Sequence, residues 1–135
     1  MYVILLKSMR ENLHRGGTMK IYIPHQFVTL NEYTNETRRN KFKGANIKRE
    51  QTELAYWYFV SKKFETPLKL KFTWYLPNKK KDPDNVCFAK KFILDAMTKA
   101  KCIPNDNLNH ILGFEDVFIV SKEKSGVDIE IVEII

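Results

Sequence analysis

The sequence predicts an α+β domain: a small mixed β-sheet with helices packed on it, in the order β-α-β-α-β-β. Three observations carry that expectation. Short stretches of alternating apolar residues recur along the chain, as MKIYIP, LKLKFTWYL and GVDIEIVEII. Between them lie two longer segments with helical spacing. At 135 residues, 44% hydrophobic and 29% charged, the chain can bury one core but is too short for two ordinary domains.

Residues 1–18, MYVILLKSMRENLHRGGT, have no sustained period. Arg15-Gly16-Gly17 just ahead of Met19 can be a purine-rich ribosome-binding site read as protein, so translation is expected to begin at Met19. The alternative is a short extra strand, YVILL. The domain proper is then 19–135. It opens with the strand MKIYIP, which ends at Pro24. Residues 25–43 read as polar and turn-like. Asn46 to Phe64 has neither Gly nor Pro and spaces Ile47, Leu54, Trp57 and Tyr58 helically, which predicts a helix. Trp57, Tyr58 and Phe59 are expected in the core. LKLKFTWYL alternates Leu68, Leu70, Phe72 and Trp74 as a strand and stops at Pro77.

Pro83 to Ala100 reads as one continuous second helix, with an apolar stripe of Val86, Ala89, Phe92, Ile93, Ala96, Met97 and Ala100. Pro104 blocks its continuation. HILGFEDVFIVSK and GVDIEIVEII follow as two strands, with Lys124-Ser125-Gly126 as a hairpin turn between them.

Composition narrows the function classes. No apolar run approaches the ~20 residues of a membrane span, and MYVILLK lacks the core and cleavage site of a signal peptide, so the expected place is the cytoplasm. Cys87 and Cys102 are the only cysteines, which argues against a thiolate zinc site. His14, His25 and His110 show no metal-ligand spacing. Twenty-three Lys and Arg against 16 Asp and Glu give a charge of +7, a surplus that favours a polyanionic partner such as nucleic acid.

The chemistry concentrates in KKKDPDNVCFAKKFILDAMTKAKCIPNDN, residues 79–107. Asp82-Pro83-Asp84-Asn85 is a well-formed helix start, with Asp at the cap, Pro at the first helical position and an acid in the first turn. Capping needs only one of the two acids, however, so a metal site stands beside it as the second reading. On a continuous helix, Asp84, Lys91 and Asp95 fall within about 20° of one direction. That line is either a solvated face, with Asp95 paired to Lys91 or Lys99, or a functional one.

These residues resemble the signature of the RusA family of Holliday junction resolvases: a basic run, Asp-x-Asp-Asn, a lysine-bearing helix ending in Asp-Ala-Leu-like residues, and a loop with a further aspartate. Asp82, Asp84 and Asn85 match the motif, and Asp95-Ala96-Met97 matches the helix end. Counting forward, Asp106 matches the third catalytic aspartate. Counting back from Asp95, Lys91 matches the functional lysine, with Lys90 as the competing position. Two departures are visible. The Asp84–Asp95 span is about one turn longer than in the family member compared, and Asn105 stands where that member has another acid.

The resemblance implies a homodimeric endonuclease, dependent on Mg²⁺ or Mn²⁺, acting on branched DNA such as a four-way junction in recombination and repair. Asp82, Asp84 and Asp106 are then the expected metal ligands, and Lys91 the lysine that meets the scissile phosphate. Lys79, Lys80, Lys81 and Lys90 would hold flanking phosphates. Arg38, Arg39, Lys41 and Lys43, with Lys48 and Arg49 behind them, form a second basic cluster suited to DNA backbone contacts. The rival expectation is a DNA-binding module that keeps the fold without the catalysis.

Overall fold

The computed structural model describes residues 19–134. The expected leader, its alternative strand YVILL and His14 all lie outside the described residues. Strand β1 (Lys20–Ile23) is followed by α1 (Leu30–Arg39), α2 (Lys41–Phe59), β2 (Leu68–Leu76), α3 (Pro83–Cys87), α4 (Lys90–Lys99), β3 (Ile111–Val120) and β4 (Gly126–Ile134). The four strands form one mixed sheet in the order β1-β4-β2-β3. The α+β class and the mixed sheet are as the sequence predicts, while the element order gains two helices.

Alternation works as expected in β2. Leu68, Leu70, Phe72, Trp74 and Leu76 are buried and join Val127, Ile129 and Ile131 of β4 in a core shared with Ala55 and Phe59 of α2 and Phe92, Ile93, Ala96 and Met97 of α4. The alternate positions form a polar face. There Lys20 pairs with Glu130 at 3.8 Å, Lys69 with Glu133 at 3.3 Å, and Lys124 with Asp128 at 3.2 Å. Asp128 is almost fully buried, and the Tyr75 hydroxyl donates to it at 2.6 Å while the Lys124 ammonium lies over the Tyr22 and Tyr75 rings.

Five expectations need correction. The stretch 25–43 is not a loop, because α1 occupies much of it. Thr29 caps α1: its hydroxyl accepts from the Glu32 amide at 3.3 Å and donates to the Glu32 carboxylate at 3.0 Å. Asn40 then ends α1 and caps α2, accepting from the Phe42 amide at 2.9 Å. The second helix of this pair therefore runs Lys41–Phe59 and stops short of Phe64. Gly44 sits where the two helices touch, since a Cβ there would collide with the Thr37 hydroxyl. Trp57 faces out at 65% exposure, while its neighbour Phe59 is fully buried.

The helix expected over Pro83–Ala100 is broken. Around Phe88 and Ala89 the backbone bonds are of the tighter i→i+3 kind, Ala89 to Val86 at 3.3 Å, Lys91 to Phe88 at 3.0 Å and Phe92 to Ala89 at 3.1 Å. Tighter winding advances each residue further around the axis, so Asp84 leaves the direction that Lys91 and Asp95 still share within α4.

Nor do β3 and β4 form a hairpin. A strand reached by a helical crossover pairs parallel, and β3 lies parallel to β2, with Leu76 opposite Val120. The chain then passes the end of β2 so that β4 inserts antiparallel between β2 and β1. Gly126 (φ +109°) serves this arrangement, because a Cβ there would strike the Ile23 carbonyl at the end of β1.

The parallel pairing places the chemistry. Chain leaving the C-terminal end of β2 supplies Asp82 and Asp84, α4 runs back, and Asp106 precedes the N-terminal end of β3. The two ends of the nine-residue strand β2 are roughly 25 Å apart at about 3.3 Å per residue.

Candidate functional site

At the first end, Asp82 holds the N-cap position of α3 with extended backbone (φ −75°, ψ 147°), and Pro83 follows. This is the backbone that capping requires. Yet the Asp82 side chain makes no capping hydrogen bond. The cap explains the turn of the chain and leaves the carboxylate unused. Asp84 lies beside it, and both residues are exposed.

At the middle of the sheet, where Asp116 lies opposite Phe72, is a pair that motif matching does not reveal. The Lys90 ammonium is bonded to Asp116 Oδ2, and the two side chains are only 18% and 19% exposed. Asp116 Oδ1 accepts from the Trp74 indole N–H at 2.9 Å, so both carboxylate oxygens are held. The same ammonium lies 4.8 Å from the Phe114 ring centroid and 5.8 Å from that of Phe72. Burial pushes the Cys87 thiol up; Lys90 pulls it down, while Asp116 and Asp84 push it up, so three charges act on one sulfur. A signal for Asp116 does exist in the sequence. In GFEDVFIV it shares a strand face with Phe114 and Phe118, an unusual place for a carboxylate.

Lys91 stands apart from this corner. Its side chain is 54% exposed and reaches Asp95 at 3.9 Å, a carboxylate that Lys48 also approaches at 3.9 Å. The bland account of Asp95, pairing across one helical turn, therefore has geometry behind it.

At the second end, a cleft of about 540 Å³ opens between α2 and α4. Lys48, Arg49 and Lys99 line it together with Asp95, Asp106 and Thr52. The Thr52 hydroxyl is buried without a hydrogen-bond partner. Asp106 thus shares a cleft with Asp95 and not with Asp82 and Asp84. Among the described residues no group of three His, Cys, Asp or Glu side chains converges closely enough to hold a metal ion.

The basic residues divide into engaged and unengaged. Lys79, Lys80 and Lys81 are on the exposed loop after β2, and Lys81 reaches Glu32 in the first turn of α1 at 3.5 Å, bringing that loop to α1. At the junction of α1 and α2, Arg39 and Lys43 both bind Glu36, at 3.6 and 3.1 Å. The hydrogen bond and charge of Lys43, helped by Arg39, hold the Glu36 carboxyl below its usual range. Arg38 and Lys41 are exposed, Lys41 lying 5.5 Å from the Phe42 ring centroid. His110 is a strand-start residue bonded to the Thr66 hydroxyl at 2.8 Å. No protein-family model matches the sequence, and no curated protein matches it.

Proposed function

We propose that the protein is a divalent-metal-dependent endonuclease of branched DNA, four-way junctions in particular, acting as a homodimer as the RusA resemblance implies. The observation that carries the reading is the Asp82 carboxylate. It occupies a cap position without capping, next to Asp84, in the short helix that leads into Lys90 at the start of α4. Two such carboxylates are hard oxygen donors of the kind Mg²⁺ prefers, and that ion is often bound by one or two of them with water and substrate phosphate completing its shell. Bound there, the ion would neutralise phosphate oxygens and lower the pKa of a coordinated water.

The separation of Asp106 from Asp82 and Asp84 gives the dimer a task. In a two-fold pair each contact is made twice, with the same patches exchanged. Two copies packed with these ends in opposition bring Asp106 of one copy to Asp82 and Asp84 of the other, completing the acid set in two equivalent sites. A junction with two symmetric strands to cut calls for two such sites. The cleft around Asp106 then serves the substrate, with Lys48, Arg49 and Lys99 holding backbone phosphates. Lys79, Lys80, Lys81, Arg38 and Lys41 extend the basic surface along the DNA arms.

The test is incubation of purified protein with a labelled four-way junction, with and without Mg²⁺ or Mn²⁺. Nicking that requires the ion is expected. Junction binding with no nicking in either ion would leave the DNA-binding module as the reading.

A further inference from the structure

The Lys90–Asp116 pair is unusual enough to demand a reason. Taking two charges out of water costs several kcal/mol per ion, and a well-packed apolar pair often holds secondary structure at least as well. Here α4 already packs on α2 and the sheet through Phe92, Ile93, Ala96 and Met97, all buried. The pair is therefore not needed to attach the helix. What it does achieve is fixity. Trp74, itself 4% exposed, anchors Asp116 through its indole, Asp116 anchors Lys90, and the Phe114 and Phe72 rings form a floor beneath the ammonium. Lys90 is also the first residue of α4, and its ammonium, held at the middle of the sheet where Asp116 lies opposite Phe72, acts with Asp84 on the intervening Cys87 thiol.

We propose that Asp116 is a positioning residue, which through Lys90 sets the positive charge that meets the substrate phosphate beside Asp84. This rests on the nuclease reading and deepens it: the functional lysine is Lys90, and its orientation comes from β3, outside the motif. A charge held in place before the substrate arrives costs no reorganisation during reaction, which is why such groups matter more than mobile ones. Lys91, half exposed and sharing Asp95 with Lys48, has no comparable anchor.

Single-turnover cleavage of a four-way junction by the full chain tests this, alongside junction affinity and melting temperature. Lys90→Met should slow cleavage by about 10²–10³-fold, the range for losing a preorganised stabilising group. Asp116→Asn should slow it about tenfold or more, with affinity changed less than about threefold, and Asp116→Glu should recover part of the rate. A purely structural pair predicts otherwise: Asp116→Leu combined with Lys90→Met would fold and cut at the wild-type rate. That result, or a slow Lys91→Ala beside a normal Lys90→Met, overturns the proposal. A second readout is independent of cleavage. The Lys90 Nζ resonance, followed by NMR during titration with inorganic phosphate, should respond in the wild type and respond less in Asp116→Asn. If the wild type cuts nothing yet Lys90 responds in this way, the nuclease reading falls and the positioning role stands. A Lys90 signal indifferent to phosphate and to Asp116 removes the positioning role whether or not the protein cuts.

Discussion

The two charged ends of this molecule are built differently. Beside α3 a single lysine is locked over two aromatic rings by a carboxylate that an indole holds in turn, and α3 itself carries two exposed carboxylates. At the α2–α4 cleft, three cations and two carboxylates share a wider space, and the ion pairs there are long, 3.9 Å from Asp95 to both Lys48 and Lys91. Fixed charge suits stabilisation of a reacting group, whereas loosely held charge suits gripping a flexible polyanion. Under the proposed function, the contrast would place chemistry at the first region and substrate binding, together with one donated acid, at the second.

The largest effects should come from the acids. Asp82→Asn and Asp84→Asn are each expected to lose cleavage to below detection while keeping junction affinity near wild type, since removing a carboxylate also lessens repulsion toward DNA. Gel-shift and nicking assays on the same samples measure both. Retained cutting by either variant breaks the comparison at its strong end.

At the cleft the loss should be in affinity. Lys48→Ala and Arg49→Ala should weaken junction binding and reduce the slope of log affinity against log salt by about one each, with the rate at saturation little changed. A changed saturated rate with unchanged affinity would reverse the assignment of the two ends.

Smaller again is Asp95→Asn. Its exposed pairs are weak, so cleavage should change by no more than about fivefold. A dead Asp95→Asn would show that this carboxylate belongs with the reacting groups and not behind them.

The smallest effect is read from the thiols, one near each end of α4. Burial pushes Cys102 up to about 12 and also raises Cys87. Since the thiolate is the reactive form, both should label slowly with a thiol reagent at pH 8, Cys102 far more slowly than Cys87. Equal rapid labelling would mean that the Cys102 end opens, and with it the connection that carries Asp106.

Much of this fold was legible in the sequence where one face alternates or one stripe repeats. MKIYIP, LKLKFTWYL and GVDIEIVEII each gave a strand because the opposite face is polar. Helix α1 was missed because its Asn and Thr content looks like a turn, although Thr29 caps it and Glu32 follows in its first turn. The break at Phe88 has no Gly or Pro to announce it. The parallel pairing of β3 with β2 is a tertiary choice that local turn residues such as Ser125-Gly126 cannot encode. For the candidate site, motif reading names Asp82, Asp84 and Asp106 together, but their distribution to opposite ends follows from that pairing. Asp116 was visible only as a carboxylate in phase with Phe114 and Phe118 on one strand face.

The central claim is that two copies share each site, and subunit mixing tests it most directly. Asp84→Asn and Asp106→Asn proteins, each inactive alone, are mixed under conditions that exchange subunits and then given a labelled four-way junction with Mg²⁺. In a mixed dimer one site combines the intact Asp84 of one copy with the intact Asp106 of the other, while the second site loses both. Recovery of nicking, on one strand per dimer, is the expected result. A mixture that stays inactive after confirmed exchange, or an Asp106→Asn protein that cuts normally by itself, contradicts the account.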